Sequence, residues 1–121
     1  MMDRRETGNL GEKLACNFLA NNGYKIIETN YRCRDGEVDV VTQQRDVLVF
    51  VEVRTKKNLK FGTPEESITE RKKEKLRAVA EHYTQNHDNL PPTWRIDVVA
   101  VQLNYRGRLH RIEIIENAVE G

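Results

Sequence analysis

Gly36-Glu37-Val38-Asp39-Val40-Val41 and Val47-Leu48-Val49-Phe50-Val51-Glu52-Val53-Arg54 are the segments whose reading decides the fold. The second is a nearly unbroken apolar, β-branched run, the composition of a strand inside a sheet. Glu52 is set within it, and Asp39 has a similar setting in the first segment. A charge among apolar side chains is costly unless something compensates it. Between the two lies Gln43-Gln44-Arg45-Asp46, short and polar, which predicts a hairpin. If Arg45-Asp46 form a two-residue loop, Gln44 pairs with Val47, and counting back sets Asp39 directly opposite Glu52. A four-residue loop from Gln44 to Val47 keeps that register, whereas a three-residue loop shifts it by one and separates the acids. No Asn-Gly type of signal chooses between these loops.

Like charges facing each other across two strands destabilise a sheet. A bound divalent cation would remove that cost, and magnesium and manganese favour carboxylate oxygens. Period-two alternation puts Glu52, Arg54 and Lys56 on one strand face, with Val51 and Val53 on the other. Two acids, a metal and a cation make a site that could polarise a phosphate and hold a water for attack. The alternative is an ion pair between Glu52 and Arg54 on a solvated face, with Asp39 a polar residue at a strand end. Spacing alone leaves both open.

Outward from this hairpin, 121 residues suit a single domain, 1–121, with 1–7 expected to be flexible. A hydrophobic content of 38% and a charged content of 32% describe a globular chain with a highly charged surface. The net charge is only +1, but it is unevenly spread. Residues 54–77 hold nine basic and four acidic residues, an excess of five positive charges next to the paired acids. A basic rim around an acidic centre suits a phosphodiester substrate. For Lys72 to Arg77 alone, a solvated helix face with paired charges is the better reading. Cys16 and Cys33 form no CxxC motif, and neither they nor the three histidines have zinc or catalytic spacing. No Ser/His/Asp set and no glycine-rich phosphate loop is present. With no signal peptide and no apolar run of membrane length, the expected location is the cytoplasm.

The remaining elements follow from periodicity. Leu10, Leu14, Ala15, Phe18 and Leu19 make the apolar stripe of a helix from about Asn9 to Asn21, stopped at Gly23. Glu12 would lie in its first turn as a capping residue with Asn9. Tyr24–Tyr31 reads as a strand, Arg32–Gly36 as a turn and Lys56–Pro64 as a loop. A second helix runs from Ser67 or Thr69 to Gln85, with Ile68, Leu76, Val79, Ala80 and Tyr83 as its buried stripe. Trp94–Val101 and Leu109–Ile115 complete the sheet, the last as an edge strand. Asp97 reads as a hydrogen-bonded structural acid rather than a residue near a metal.

The order helix, three strands, helix, two strands, with Gly36-Glu37-Val38-Asp39 followed by Glu52-Val53-Arg54, resembles the PD-(D/E)xK nuclease superfamily. More closely, the chain resembles the small bacterial YraN family (UPF0102), itself distantly similar to archaeal Holliday junction resolvases. The resemblance runs from Gly8 to Asn117. It includes Gly11-Glu12-x-x-Ala15, the lysine-rich second helix and Arg95-Ile96-Asp97-Val98-Val99-Ala100. It implies a restriction-endonuclease-like α/β fold: an αβββαβ core with a mixed central sheet flanked by helices. It also implies a magnesium- or manganese-dependent endonuclease acting on DNA, branched DNA included. Asp39 and Glu52 would be the metal-binding acids, with the Val53 backbone carbonyl a further ligand. Glu12 matches the first-helix acid of related sites, which replaces the capping reading. Arg54 stands where the superfamily has lysine; arginine cannot serve as a base but can hold a phosphate or stabilise transition-state charge. Lys56 shares its strand face. Lys56, Lys57, Lys60, Lys72 and Lys73 would track the nucleic-acid backbone, and resolution of branched DNA would call for a two-fold homodimer. Two further classes stay open: a nucleic-acid-binding module that keeps the nuclease fold without cutting, and a protein-interaction scaffold.

Overall fold

In the computed structural model, which describes residues 2–58, 60 and 62–119, the two deciding segments form a hairpin at the middle of a five-stranded sheet. The element order is α1 (Arg4–Asn21), β1 (Lys25–Cys33), β2 (Gly36–Gln44), β3 (Val47–Lys56), a short 3-10 turn (Glu65–Ser67), α2 (Glu70–Gln85), β4 (Thr93–Leu103) and β5 (Leu109–Ile115). The strands lie in chain order, β1 to β5. All neighbours are antiparallel except β3 and β4, which run parallel because α2 carries the chain between them. The sheet is therefore mixed, two helices flank it, and the expected αβββαβ core is present. Part of the expected Lys56–Pro64 loop, residues 59 and 61, lies outside the described residues. Among the described residues no helix is long and apolar enough to cross a membrane.

The helices cover opposite faces of the sheet. Ala15 and Leu19 of α1 pack with Val40, Val49, Val51, Val99, Val101 and Leu103. Leu76, Val79, Ala80 and Tyr83 of α2 pack with Val38, Val41, Leu48, Phe50 and Ile96. Burial on both faces is why β3 and β4 read as continuous apolar runs rather than alternating ones. Each fully buried side chain of this kind contributes roughly 1.5–3 kcal/mol.

Two sequence boundaries need correction. The first helix begins at Arg4, five residues before the expected Asn9. Asp3 caps it: its carboxylate accepts the Glu6 N–H at 2.9 Å, and the Glu6 carboxylate accepts the Asp3 N–H at 3.4 Å. Capping thus belongs to Asp3 and Glu6, and Glu12 sits well inside the helix. The second helix starts at Glu70 with Thr69 as its cap, so Ile68 precedes the helix and is only half-buried.

Candidate metal and phosphate site

The hairpin register runs from Gln44↔Val47 to Val40↔Val51, the register of a two-residue Arg45-Asp46 loop. Arg45 takes a left-handed φ of 54° to make that turn. One step further the register would bring Asp39 to Glu52, and there the regular pairing stops. Strand alternation changes at the same point: Val40 packs under α1, but Val38 packs under α2. On the neighbouring strand, Asn30 lies between the pairs Thr29↔Val40 and Tyr31↔Val38, opposite Asp39, with a φ of 55°. Asparagine tolerates this left-handed conformation better than most residues. The kink turns both strands, and Asp39 is left at a fork between β2 and β3. Its carboxylate accepts the Val53 N–H at 2.7 Å, taking the place of a backbone acceptor on β2.

Glu52 is buried, 4% exposed, and lies on the α2 side. Its carboxylate is 3.1 Å from Arg54 Nη2 and 3.5 Å from Lys72 Nζ. Burial, then the nearby Asp39 carboxylate, pushes its pKa up to about 8 despite these two cations. Burial likewise raises Asp39, while the Val53 N–H works against that rise. The charge of Asp39 thus disfavours ionisation of Glu52, the electrostatic conflict that neighbouring acids imply.

A stability prediction follows for the metal-free chain. Between its ordinary value of 4.5 and about 8, Glu52 keeps a proton when folded that it has released when unfolded. The folded state binds more protons in this window, so stability is greatest on its acid side and falls as pH rises towards 8. Glu52→Gln removes this component. Thermal unfolding in EDTA from pH 5.5 to 8.5 should show a downward slope in the wild type that is flatter in the variant.

Glu12 joins the site from α1. Gly11 is buried, and a Cβ there would run into the Thr55 side chain of β3. The bare glycine lets α1 lie directly over the end of β3, which brings the next residue, Glu12, towards Asp39. Partial burial, then the charges of Asp39 and Glu37, raise the Glu12 pKa. Glu12, Asp39, Val53, Arg54, Lys56 and Lys57 line one open cleft of about 600 Å³. Glu52 is not on its wall.

The basic residues divide. Lys56 and Lys57 line the cleft, and Lys57 Nζ also donates to the Met2 carbonyl at 3.4 Å. Lys72 reaches inward to Glu52, and Lys73 pairs with Glu70 at 3.2 Å along the helix. Lys60 is exposed. Arg54 Nε is buried without a hydrogen-bond partner, an orphaned donor beside the acids. Sequence reasoning missed the contact of Lys72 with Glu52 and the charge of Glu37, which pairs with Arg32 at 2.6 Å. The Lys72 contact leaves no local sequence signal, because it depends on how separate elements pack, whereas Arg32 and Glu37 pair across the β1–β2 turn and a hairpin reading there could have found them.

Asp97 is fully buried and accepts from Tyr24 Oη at 2.8 Å, Arg95 Nε at 2.9 Å and the Asn117 N–H at 2.9 Å. It is a structural acid, as the sequence suggested. His82 and His87 cluster instead with Tyr31 and Tyr83: Tyr31 Oη lies 2.7 Å from His82 Nδ1, and His87 stacks on Tyr83 at 3.8 Å.

The donor chemistry fits a hard divalent cation. Two neighbouring carboxyl groups, each harder to ionise than usual, sit beside the Val53 backbone. Magnesium commonly takes one or two carboxylates and completes its shell with water and substrate phosphate. Among the described residues no three His, Cys, Asp or Glu side chains gather closely enough to hold a metal unaided. The Val53 carbonyl and ligand oxygens would have to supply the rest.

The chain matches known proteins over nearly its full length. The model described as "Uncharacterised protein family UPF0102" matches residues 11–101. The chain is 49% identical over 117 residues to a UPF0102 protein of Dehalococcoides mccartyi, covering 97% of this chain and 95% of that one. It is 44% identical over 117 residues to one from Moorella thermoacetica, covering 97% and 98%. It is 43% identical over 117 residues to one from Caldicellulosiruptor saccharolyticus, covering 97% and 99%.

Proposed function

The chain belongs to the UPF0102 family, and on that footing we propose that it is a divalent-metal-dependent DNA endonuclease whose substrates include branched DNA. The observation that carries this reading is half-buried Asp39 beside buried Glu52, neighbouring acids whose conflict a cation would relieve, with the Arg54 guanidinium 3.1 Å from Glu52. Asp39, Glu52 and the Val53 carbonyl would hold magnesium or manganese, with Glu12 in support from across the cleft. When bound, such an ion supplies Lewis-acid charge neutralisation and lowers the pKa of water at the phosphodiester.

The protein's own groups do the rest. Asp39 and Glu52, both ionised, would be the anionic donor pair. Arg54 lines the cleft and offers a fixed positive charge to a phosphate, a role its guanidinium fits better than proton transfer. Lys56, two residues along the same strand, lines the cleft and brings an ammonium to the substrate side. Lys57 adds a second ammonium to the cleft, whereas Lys72 and Lys73, proposed from the sequence as backbone contacts, are engaged by Glu52 and Glu70 and do not line it. A two-fold dimer would present two such clefts to a branched substrate.

A non-cutting DNA-binding module is the second reading, favoured by one observation: arginine at position 54, where a base would be lysine. Linear, flapped and four-way DNA, incubated with magnesium, manganese or EDTA, separates the two. Cleavage only in the metal-containing reactions is expected. Salt-sensitive binding without cleavage of any substrate would overturn the nuclease in favour of the module. No binding at low salt would favour a protein-interaction scaffold.

A further inference from the structure

We propose that the turn between β4 and β5 is a stacking platform for an unpaired DNA base at the mouth of the cleft, so that the chain selects DNA with single-stranded character. The proposal rests on the reading of the cleft as a DNA site. Tyr105 is 79% exposed, the most exposed large hydrophobic side chain among the described residues. The Arg106 guanidinium carbon lies 5.6 Å from its ring centroid. The turn that carries them is internally braced. Asn104 Oδ1 accepts the N–H groups of Arg106 at 2.9 Å and Arg108 at 3.0 Å. The Asn104 N–H donates to the Arg108 carbonyl at 2.8 Å, and the Gly107 N–H to the Asn104 carbonyl at 2.9 Å. Gly107 takes the φ of 77° that closes the turn. The ring is therefore displayed on a fixed support.

Its position gives the ring a use. Tyr105 and Arg106 line a second cavity, of about 360 Å³, with Met2, Glu6 and Lys57. Met2 and Lys57 also line the acid-bearing cleft, so the two recesses adjoin. Glu6 is the one acid in the second cavity's lining, against the cations Lys57 and Arg106, with Arg108 next along the turn. An exposed aromatic ring with arginine over it, beside a cationic path, has the chemistry that holds single-stranded DNA. Phosphates meet the cations and a base face meets the ring. Bases within a duplex are already stacked and offer no face. A strand crossing from the cleft past Lys57 would meet Tyr105 where a nucleotide is unpaired, as at a flap or a junction.

The test is binding in EDTA, so that cleavage plays no part. A twelve-nucleotide deoxythymidine strand bearing one 2-aminopurine, and a blunt duplex of the same length, are titrated with wild type, Tyr105→Ala and Tyr105→Phe. Expected results are quenching of the 2-aminopurine by wild type and Tyr105→Phe, single-strand affinity about tenfold weaker in Tyr105→Ala, and duplex affinity unchanged. Equal single-strand binding by Tyr105→Ala and wild type would overturn the platform. So would a loss in Tyr105→Phe as large as in Tyr105→Ala, or an equal loss for duplex. Manganese-dependent cleavage is measured on the same oligomers and on a flapped and a four-way DNA. Tyr105-dependent binding without cleavage would bring down the nuclease reading and leave the platform standing, whereas cleavage with Tyr105-independent binding would do the reverse.

Discussion

Asp39→Ala and Glu52→Ala should each lower metal-dependent DNA cleavage by about a hundredfold or more. That scale follows from several kcal/mol of charge stabilisation, at tenfold per 1.36 kcal/mol. The two variants should differ in stability. Glu52→Ala removes an acid whose pKa burial and Asp39 have raised, so its fold should be retained. Asp39→Ala also takes the acceptor from the Val53 N–H, at a cost of about 1–3 kcal/mol. Asp39→Asn keeps an oxygen for that N–H and so separates the two roles: near-normal unfolding with cleavage lost. Steady-state cleavage rates and urea unfolding on the same preparations give both quantities. Unchanged cleavage in Asp39→Asn and Glu52→Ala would remove these acids from the chemistry.

The largest loss of stability should come from Asp97→Ala, about 3–5 kcal/mol by urea unfolding. Asp97 is fully buried and joins three parts of the chain: Tyr24 before β1, Arg95 on its own strand and Asn117 after β5. Arg95 Nη2 also donates to Gln44 Oε1 at 2.6 Å, tying in the end of the hairpin. Cutting the side chain back to alanine strands a half-buried guanidinium, a phenol and a backbone N–H together. Tyr24, whose hydroxyl pKa burial and Asp97 push up to about 12, loses its acceptor as well. Cleavage per folded molecule should be unaffected, because the hydrogen bonds of Asp97 go to Tyr24, Arg95 and Asn117, none of which belongs to the proposed site. A stable Asp97→Ala protein with impaired cleavage would move Asp97 from scaffold to site.

The elements were largely legible because the chain states them through periodicity. β3 announced itself as an apolar run, and the polar Gln43–Asp46 segment fixed a hairpin whose observed register is that of the two-residue loop. The start of α1 was misjudged because Asp3 and Glu6 make an aspartate version of a capping box within a charged segment that reads as frayed. The site was legible only as a pair of acids. Its shape depends on where the β2–β3 pairing ends and β2 changes its alternation, beside Asn30 with its positive φ, and no local pattern in the sequence marks that point. Position 11 is another such case: a glycine near a helix start reads as punctuation, but its missing Cβ is what admits Thr55 and brings Glu12 close. Lys72 reads as a solvent-facing helix cation, and only tertiary packing turns it towards Glu52. Contacts between distant elements leave no periodic trace in the sequence.

The central claim is that Asp39 and Glu52 form a metal site, and calorimetric titration of manganese tests it most directly. Wild type and Glu52→Ala would each be titrated with a non-cleavable phosphorothioate DNA bound, so that substrate oxygens are available to complete the coordination. Saturable binding in the wild type that disappears in Glu52→Ala is the predicted result. Equal binding by the two proteins, or none by either, would contradict the claim.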